Sequence, residues 1–261
     1  MTAPVAGFST AISALALVAV SAGRCSTLAM RLNHSQPRRT LPPMIRDPRV
    51  QTYLEGLRPE RDPVLAEMEE LAGLERIPIV EWETGRLLAT LVAATRPRLV
   101  LEVGTAIGYS TIHMARELAD GARIVTLERD SRRIAQARAF WDRAGVADRI
   151  ELVEGDALDS LGRLDGPFGL VFLDASKTEL DDYLERLDGR LADGALLVID
   201  NLLMSGDAAL PEGLETSWPE DSLRAARATT RALMESDEWL FSLLPVGDGV
   251  GLGARRATVR P

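Results

Sequence analysis

Hydrophobic positions in this chain fall into short unbroken blocks separated by longer stretches of helical spacing. The clearest block, Leu99 to Val103, is interrupted only by Glu102. It meets Gly104 and Gly108 and then helix-forming sequence, so Leu99 to Ala115 predicts a buried strand turning sharply into a helix. Further apolar blocks predict strands at Arg123 to Leu127, Ile150 to Val153, Leu170 to Leu173 and Ala195 to Ile199, with helices between them that include Ser131 to Ala144 and Glu179 to Leu191. Strands apolar along most of their length are buried on both faces, as in a parallel sheet covered by helices. Upstream, Asp47-Pro48 and Asp62-Pro63 each join an N-cap residue to the residue best tolerated in a first helical turn, which predicts two short helices. Leu87, Leu88, Leu91 and Val92 then recur at helical spacing until Pro97 ends the run.

Toward the C-terminus the alternation stops. A helix over Ser222 to Met234 is followed by two β-like runs, LFSLLPV and GVGLGARRA, separated around Gly247 and Asp248, which is a hairpin signal. A parallel sheet finished by an antiparallel hairpin differs from a dinucleotide-binding domain, where a sixth parallel strand is expected.

Composition bounds the function. The 261 residues, 46% hydrophobic and 26% charged, support one full core and a tail. The balance of 30 basic against 39 acidic residues argues against a nucleic-acid surface and toward small-molecule chemistry. Cys25 is the only cysteine, so there is no intrachain disulfide and no Cys-based metal site. His34 and His113 read as structural or incidental. Residues 1–46 stand apart, with no Asp or Glu, five Arg and an apolar run from Ala11 to Val20. The first basic residue, Arg24, follows that run, against a secretory signal, and the run is short and broken by Ser, against a membrane span. A transit-like segment and a translation start at Met44 are left, and the second is preferred.

Polar residues at the predicted strand ends carry the chemistry. Glu128 lies about two dozen residues after Gly104, where a carboxylate can accept hydrogen bonds from both ribose hydroxyls of a nucleoside; its plainer reading is a solvated acid at a helix start. Asp156, after VEG, lies near the end of the third strand, and its role could be no more than capping the next helix. Asp174 ends GLVFLD, and Asp200 with Asn201 ends ALLVIDN. If those strands are neighbours, two carboxylates and an amide oxygen meet at one point, a donor set for a hard cation such as Mg²⁺ rather than zinc. Strand-end acids are common singly; the Asp-Asn pair together with Asp174 favours the metal. Lys177 is the only lysine among 30 basic residues. Arg serves wherever plain charge is wanted, so this position reads as needing a compact amine of adjustable pKa, a general base or an oxyanion partner, against chance placement at a helix start.

Taken in order, LEVGTAIGYS, the Glu128 strand end, EGDA, FLDASK, IDN and LPVGDG resemble the cation-dependent O-methyltransferases of the catechol and caffeoyl-CoA type, from about Ile77 to Arg256. The resemblance implies an α/β class I methyltransferase Rossmann-like fold, with a seven-stranded mostly parallel sheet, a C-terminal antiparallel hairpin and N-terminal accessory helices. It implies S-adenosylmethionine lying along Val80, Glu102, Gly104, Thr105 and Ser110, with its ribose on Glu128, its adenine near Ala157 and its amino end at Asp174. It further implies Mg²⁺ or another divalent cation on Asp174, Asp200 and Asn201, and Lys177 as the catalytic lysine. On this reading residues 1–46 are an extension and 47–261 a cytoplasmic catalytic domain. Its expected partners are a phenolic small molecule and a second copy of the chain in a homodimer, with no nucleic acid and no membrane.

Two vicinal substrate oxygens would chelate the cation, Lys177 would take the proton, and the phenolate would attack the sulfonium methyl in line. The chain departs from the pattern after IDN, where members acting on acyl-CoA esters often carry a Trp and an Asn; here NLLMSG argues against a CoA ester. The segment Asp207 to Asp221, with Leu210, Pro211 and Trp218, is expected to wall the acceptor pocket or to pack Trp218 on the core as an exposed loop. Rival classes are a nicotinamide-dependent oxidoreductase, which leaves Asp174, Lys177, Asp200 and Asn201 without a reason, and a non-catalytic cofactor-binding protein.

Overall fold

Both Asp-Pro steps begin helices. In the computed structural model, which describes residues 47–257, Asp47 caps α1 (Pro48–Gly56) and Asp62 caps α2 (Pro63–Glu75), each carboxylate accepting N–H groups of the first turn. The readings of residues 1–46, Cys25 and His34 lie outside the described residues. Next, α3 (Trp82–Thr95) buries Leu88 and Val92 and delivers the chain to β1 (Leu99–Val103), all five of whose residues are buried.

From there strand and helix alternate: α4 (Tyr109–Ala115), β2 (Arg123–Glu128), α5 (Ser131–Ala144), β3 (Ile150–Glu154), α6 (Ala157–Leu161), β4 (Phe168–Leu173), α7 (Leu180–Leu187), β5 (Leu191–Ile199), α8 (Glu220–Glu235), β6 (Trp239–Leu244) and β7 (Val250–Arg255). The seven strands form one sheet in the order β3-β2-β1-β4-β5-β7-β6, parallel except for β7, which runs antiparallel to both its neighbours.

Because strand side chains alternate between faces, the strands feed two cores. Val100, Ile124, Phe172 and Val198 join α2 to α5 on one side. Leu101, Val125, Val171 and Ile199 join α6 to α8 on the other. The sheet order reverses between β1 and β4, and a crevice outside the carboxyl ends of these strands is where open α/β sheets bind ligands.

One expected boundary is corrected. The helix expected over Glu179 to Leu191 ends at Leu187, and β5 begins at Leu191 rather than Ala195. Asp188, with ψ of 136°, leaves the helical conformation, and Gly189 follows at φ of +71°. The Asp193-Gly194 pair, which reads locally as a turn, lies inside the strand, where the pairing of β4 with β5 shifts register. Gly194 keeps a left-handed φ of +70°, so the pair forms an irregularity between the Leu191 and Leu196 pairings rather than a break in the strand.

Candidate active site

The register of the sheet sets the site. Val103 pairs with Leu173, and Leu173 with Ile199, so Gly104, Asp174 and Asp200 are the first residues past three adjacent strand ends. The sheet hydrogen bonds run one step further, Asp174 N–H donating to Val103 C=O at 2.9 Å and Asp200 N–H to Leu173 C=O at 3.1 Å. Two carboxylates distant in sequence thereby stand side by side. Asn201 follows with φ of +54°, a left-handed conformation that asparagine tolerates better than most residues.

The glycine turn after β1 is tighter than its sequence suggests. Gly104 has φ of +98° and Gly108 φ of +85°. The space a Cβ would take is filled by the Asp174 carbonyl at Gly104 and by the Trp141 indole at Gly108. These glycines seat the turn against the end of β4 and against α5.

Beneath the turn, Glu102 is fully buried. Its carboxylate accepts from Ser110 Oγ, Thr111 Oγ1 and Thr126 Oγ1, each at 2.6 Å, and Thr105 Oγ1 joins Thr126 Oγ1 at the same distance. Burial pushes its pKa up to about 7, against the pull of the three hydroxyls. Glu102, Thr105 and Ser110 therefore form one hydrogen-bonded unit that holds the turn in place. Val80 is buried in the core just before α3.

Glu128 sits at the end of β2 with its carboxylate facing the turn. One oxygen accepts the N–H of Ala106 at 2.8 Å, the other those of Arg129 and Asp130 at 2.9 and 3.0 Å. Glu128, Gly104, Ala157 and Asp156 line a cavity of about 80 Å³ together with Glu179 and Tyr183. Asp156 lies two residues past the end of β3 and caps α6, accepting the Leu158 N–H at 2.9 Å, which is the plainer of its two readings. Tyr183 donates to Glu179 across one helical turn. Their four-residue spacing across the start of α7 is the signal that would have found them.

Lys177 is buried just past Asp174, and its Nζ donates to the Ala175 carbonyl at 3.2 Å. Burial raises the pKa of Asp174, opposed by the positive charge of Lys177. Asp200 is raised well above the ordinary carboxylate range, by burial first and then by repulsion from Asp174. Asp200 Oδ1 is buried without a hydrogen-bond partner. Among the described residues no group of three or more His, Cys, Asp or Glu side chains is gathered to hold a metal ion; the Asp pair is followed by an amide instead.

The hairpin turn closes this side of the site. Leu202 and Leu203 N–H groups donate to the carbonyls of Gly249 and Asp248, and the Asp248 carboxylate accepts the Ser205 N–H. Within the segment expected to wall the acceptor, Asp207 accepts from Ser217 and Trp218 main-chain N–H groups, and Trp218 packs on the second core, as the loop alternative expected. The segment also borders an apolar cavity of about 620 Å³ with Leu203, Ala208, Leu210, Met234 and Leu243. No helix among the described residues is long and apolar enough to cross a membrane.

The chain and its fold are similar to known proteins. A family model described as O-methyltransferase matches residues 60–256. The chain is 40% identical over 192 residues to the catechol O-methyltransferase of Mycobacterium tuberculosis, covering 72% of this chain and 84% of that one. It is 30% identical over 172 residues to the caffeoyl-CoA O-methyltransferase of Stellaria longipes, covering 64% and 71%. The crystal structure of the O-methyltransferase TomG from Streptomyces achromogenes in complex with SAM superposes with a TM-score of 0.71 at 28% identity, covering 80% of this chain and 96% of that chain.

Proposed function

Given that this chain belongs to the O-methyltransferase family and is an S-adenosylmethionine-dependent enzyme, we propose that it methylates one hydroxyl of a catechol-like phenol beside Asp174 and Asp200. A divalent cation held by Asp174, Asp200 and Asn201 is part of this reading. The observation that carries it is the orphaned Oδ1 of Asp200. A buried carboxylate oxygen without a donor, next to a second carboxylate that repels it, is a costly arrangement that a cation relieves. The donor set of two carboxylates and one amide oxygen fits Mg²⁺ or a similar hard cation.

When bound, S-adenosylmethionine supplies an electrophilic sulfonium methyl, and the cation lowers the pKa of the hydroxyl it orients. The chain's own residues do the rest. Glu128 accepts hydrogen bonds from the ribose hydroxyls; its oxygens keep lone pairs beyond those used by the turn N–H groups. Ala157 borders the adenine. Val80, Thr105 and Ser110 flank the methionine portion, with Glu102 fixing two of them from below, and Asp174 meets the amino end. Lys177 Nζ receives the proton of the hydroxyl to be methylated. Holding both reactants in line is the larger share of the acceleration.

The unit that does this is residues 47–261, and the reading extends to a homodimer in the cytoplasm. The experiment that tests the cation is methyl transfer from S-adenosylmethionine to simple catechol, with and without a chelator. Transfer is expected to fall to background with chelator and to return with added Mg²⁺; chelator-insensitive transfer overturns the cation assignment and leaves the fold untouched.

A further inference from the structure

Three carboxylates line the cavity beside the glycine turn, and they differ in what already occupies their oxygens. Glu128 is taken up by the main chain, its two oxygens accepting the N–H groups of Ala106, Arg129 and Asp130. Asp156 accepts the Leu158 N–H on one oxygen, and the Arg129 guanidinium stands 3.7 Å from the other. Glu179, the residue before α7, is half-buried and accepts from the Tyr183 hydroxyl on Oε2; no donor among the described residues reaches its Oε1. Of the three, Glu179 alone keeps an oxygen with neither a hydrogen bond nor a cation beside it.

That oxygen is held in place by protein. Tyr183 is buried, so its hydroxyl fixes the carboxylate from one helical turn along. Arg186 Nε, also on α7, donates to the Leu158 carbonyl of α6 at 2.9 Å, which ties the helix behind Glu179 to the helix that Ala157 begins. Both helices rest on the same core. The distance across the cavity from Ala157 to Glu179 is therefore set before any ligand enters. An acceptor left over in such a cavity calls for a donor. Of the purine that S-adenosylmethionine carries, the ring nitrogens accept and the exocyclic 6-amino group donates.

We propose that Glu179 selects the base of the cofactor, its Oε1 accepting an N–H of the adenine 6-amino group and so favouring adenine over a 6-oxo purine. This rests on the placement of the ribose at Glu128 and the adenine near Ala157 given above, and it adds the residue that reads the purine. A hydrogen bond to a charged acceptor is the stronger kind, whereas a 6-oxo group facing the same oxygen sets two acceptors against each other.

Three homocysteine thioethers that differ at the purine 6-position isolate this contact from the rest of the site: S-adenosylhomocysteine, S-inosylhomocysteine with its 6-oxo group, and the analogue with hydrogen there. Their dissociation constants are measured by calorimetry on the full chain. The wild type is expected to bind the adenine compound about tenfold or more tighter than either of the others. Glu179→Gln still accepts from Tyr183 and gains N–H groups that can face a 6-oxo oxygen, and it is expected to bring the adenine and 6-oxo compounds within about threefold of each other. Asp156→Asn is expected to keep the wild-type ratio. Equal binding of the three by the wild type overturns the proposal without any variant and leaves the cofactor placement standing. An unchanged ratio in Glu179→Gln overturns it too, as does a ratio lost in Asp156→Asn and kept in Glu179→Gln. A wild type that binds none of the three overturns the cofactor placement together with the proposal.

Discussion

Lys177 and Glu102 are the two buried charged side chains whose surroundings make the sharpest claims about single residues. Lys177→Ala is expected to lower turnover by a factor of about 10² or more, the usual range for a general base, while S-adenosylmethionine binding measured by calorimetry survives. Near-normal turnover removes Lys177 from the mechanism. Glu102 has a pKa raised to about 7 in the fold. Between the ordinary glutamate value and 7 the unfolded chain holds fewer protons than the native one, so this group's contribution to stability falls as pH rises through that window. His113 acts with the opposite sign, because burial lowers its pKa to about 4 and stability is lost as pH falls from its ordinary value toward 4. The clean readout is therefore a difference. From pH 5 to 8 the wild type is expected to lose about 3 kcal/mol relative to Glu102→Gln, followed by urea unfolding midpoints. A difference that stays flat with pH overturns the assignment.

Among elements, the junction of β1, the glycine turn and β4 is the most constrained. Gly104 combines φ of +98° with a Cβ position occupied by the Asp174 carbonyl. Relief would require moving a backbone group that itself carries the site. Gly104→Ala is expected to destabilise by about 2 kcal/mol or more and to weaken S-adenosylmethionine binding together with it, read by thermal melting and calorimetry. An alanine variant with wild-type melting and binding sinks that account. The same junction shows how far local pattern reaches. Asp-Pro caps, the apolar strand β1 and α5 from Ser131 to Ala144 follow from side-chain preference within a few residues, and they appear in the fold as expected. The start of β5 does not, since Leu191 pairs with Phe168 across a register shift that leaves Asp193-Gly194, with Gly194 at φ of +70°, between paired positions.

Across the whole molecule, the sheet order gathers what the chain spreads out. Glu102, Glu128, Asp174 and Asp200 lie far apart in sequence, and parallel strands bring all four to the carboxyl-terminal end of the sheet. β6 carries the chain to that end and antiparallel β7 leads it away, so that the LPVGDG turn between them closes a site built from residues far upstream. Helices on both faces exclude water from the strand ends, and that burial shifts the carboxylates of Glu102, Asp174 and Asp200.

By itself the sequence determined the alternation of strands and helices, the closing hairpin and the residue types at the strand ends. Periodicity, caps and glycines act over a few residues and are written locally. The solitary lysine and the Asp-Asn pair likewise stood out without any coordinates. Only the tertiary structure decided which strand ends are neighbours, that the spaces beside Gly104 and Gly108 are filled by protein, and that Glu102 is enclosed by three hydroxyls. It alone brought Glu81 against Gly247. The reason is physical: each of these depends on burial and on contacts between segments far apart in the chain, and the spacing of residues along it carries no record of either.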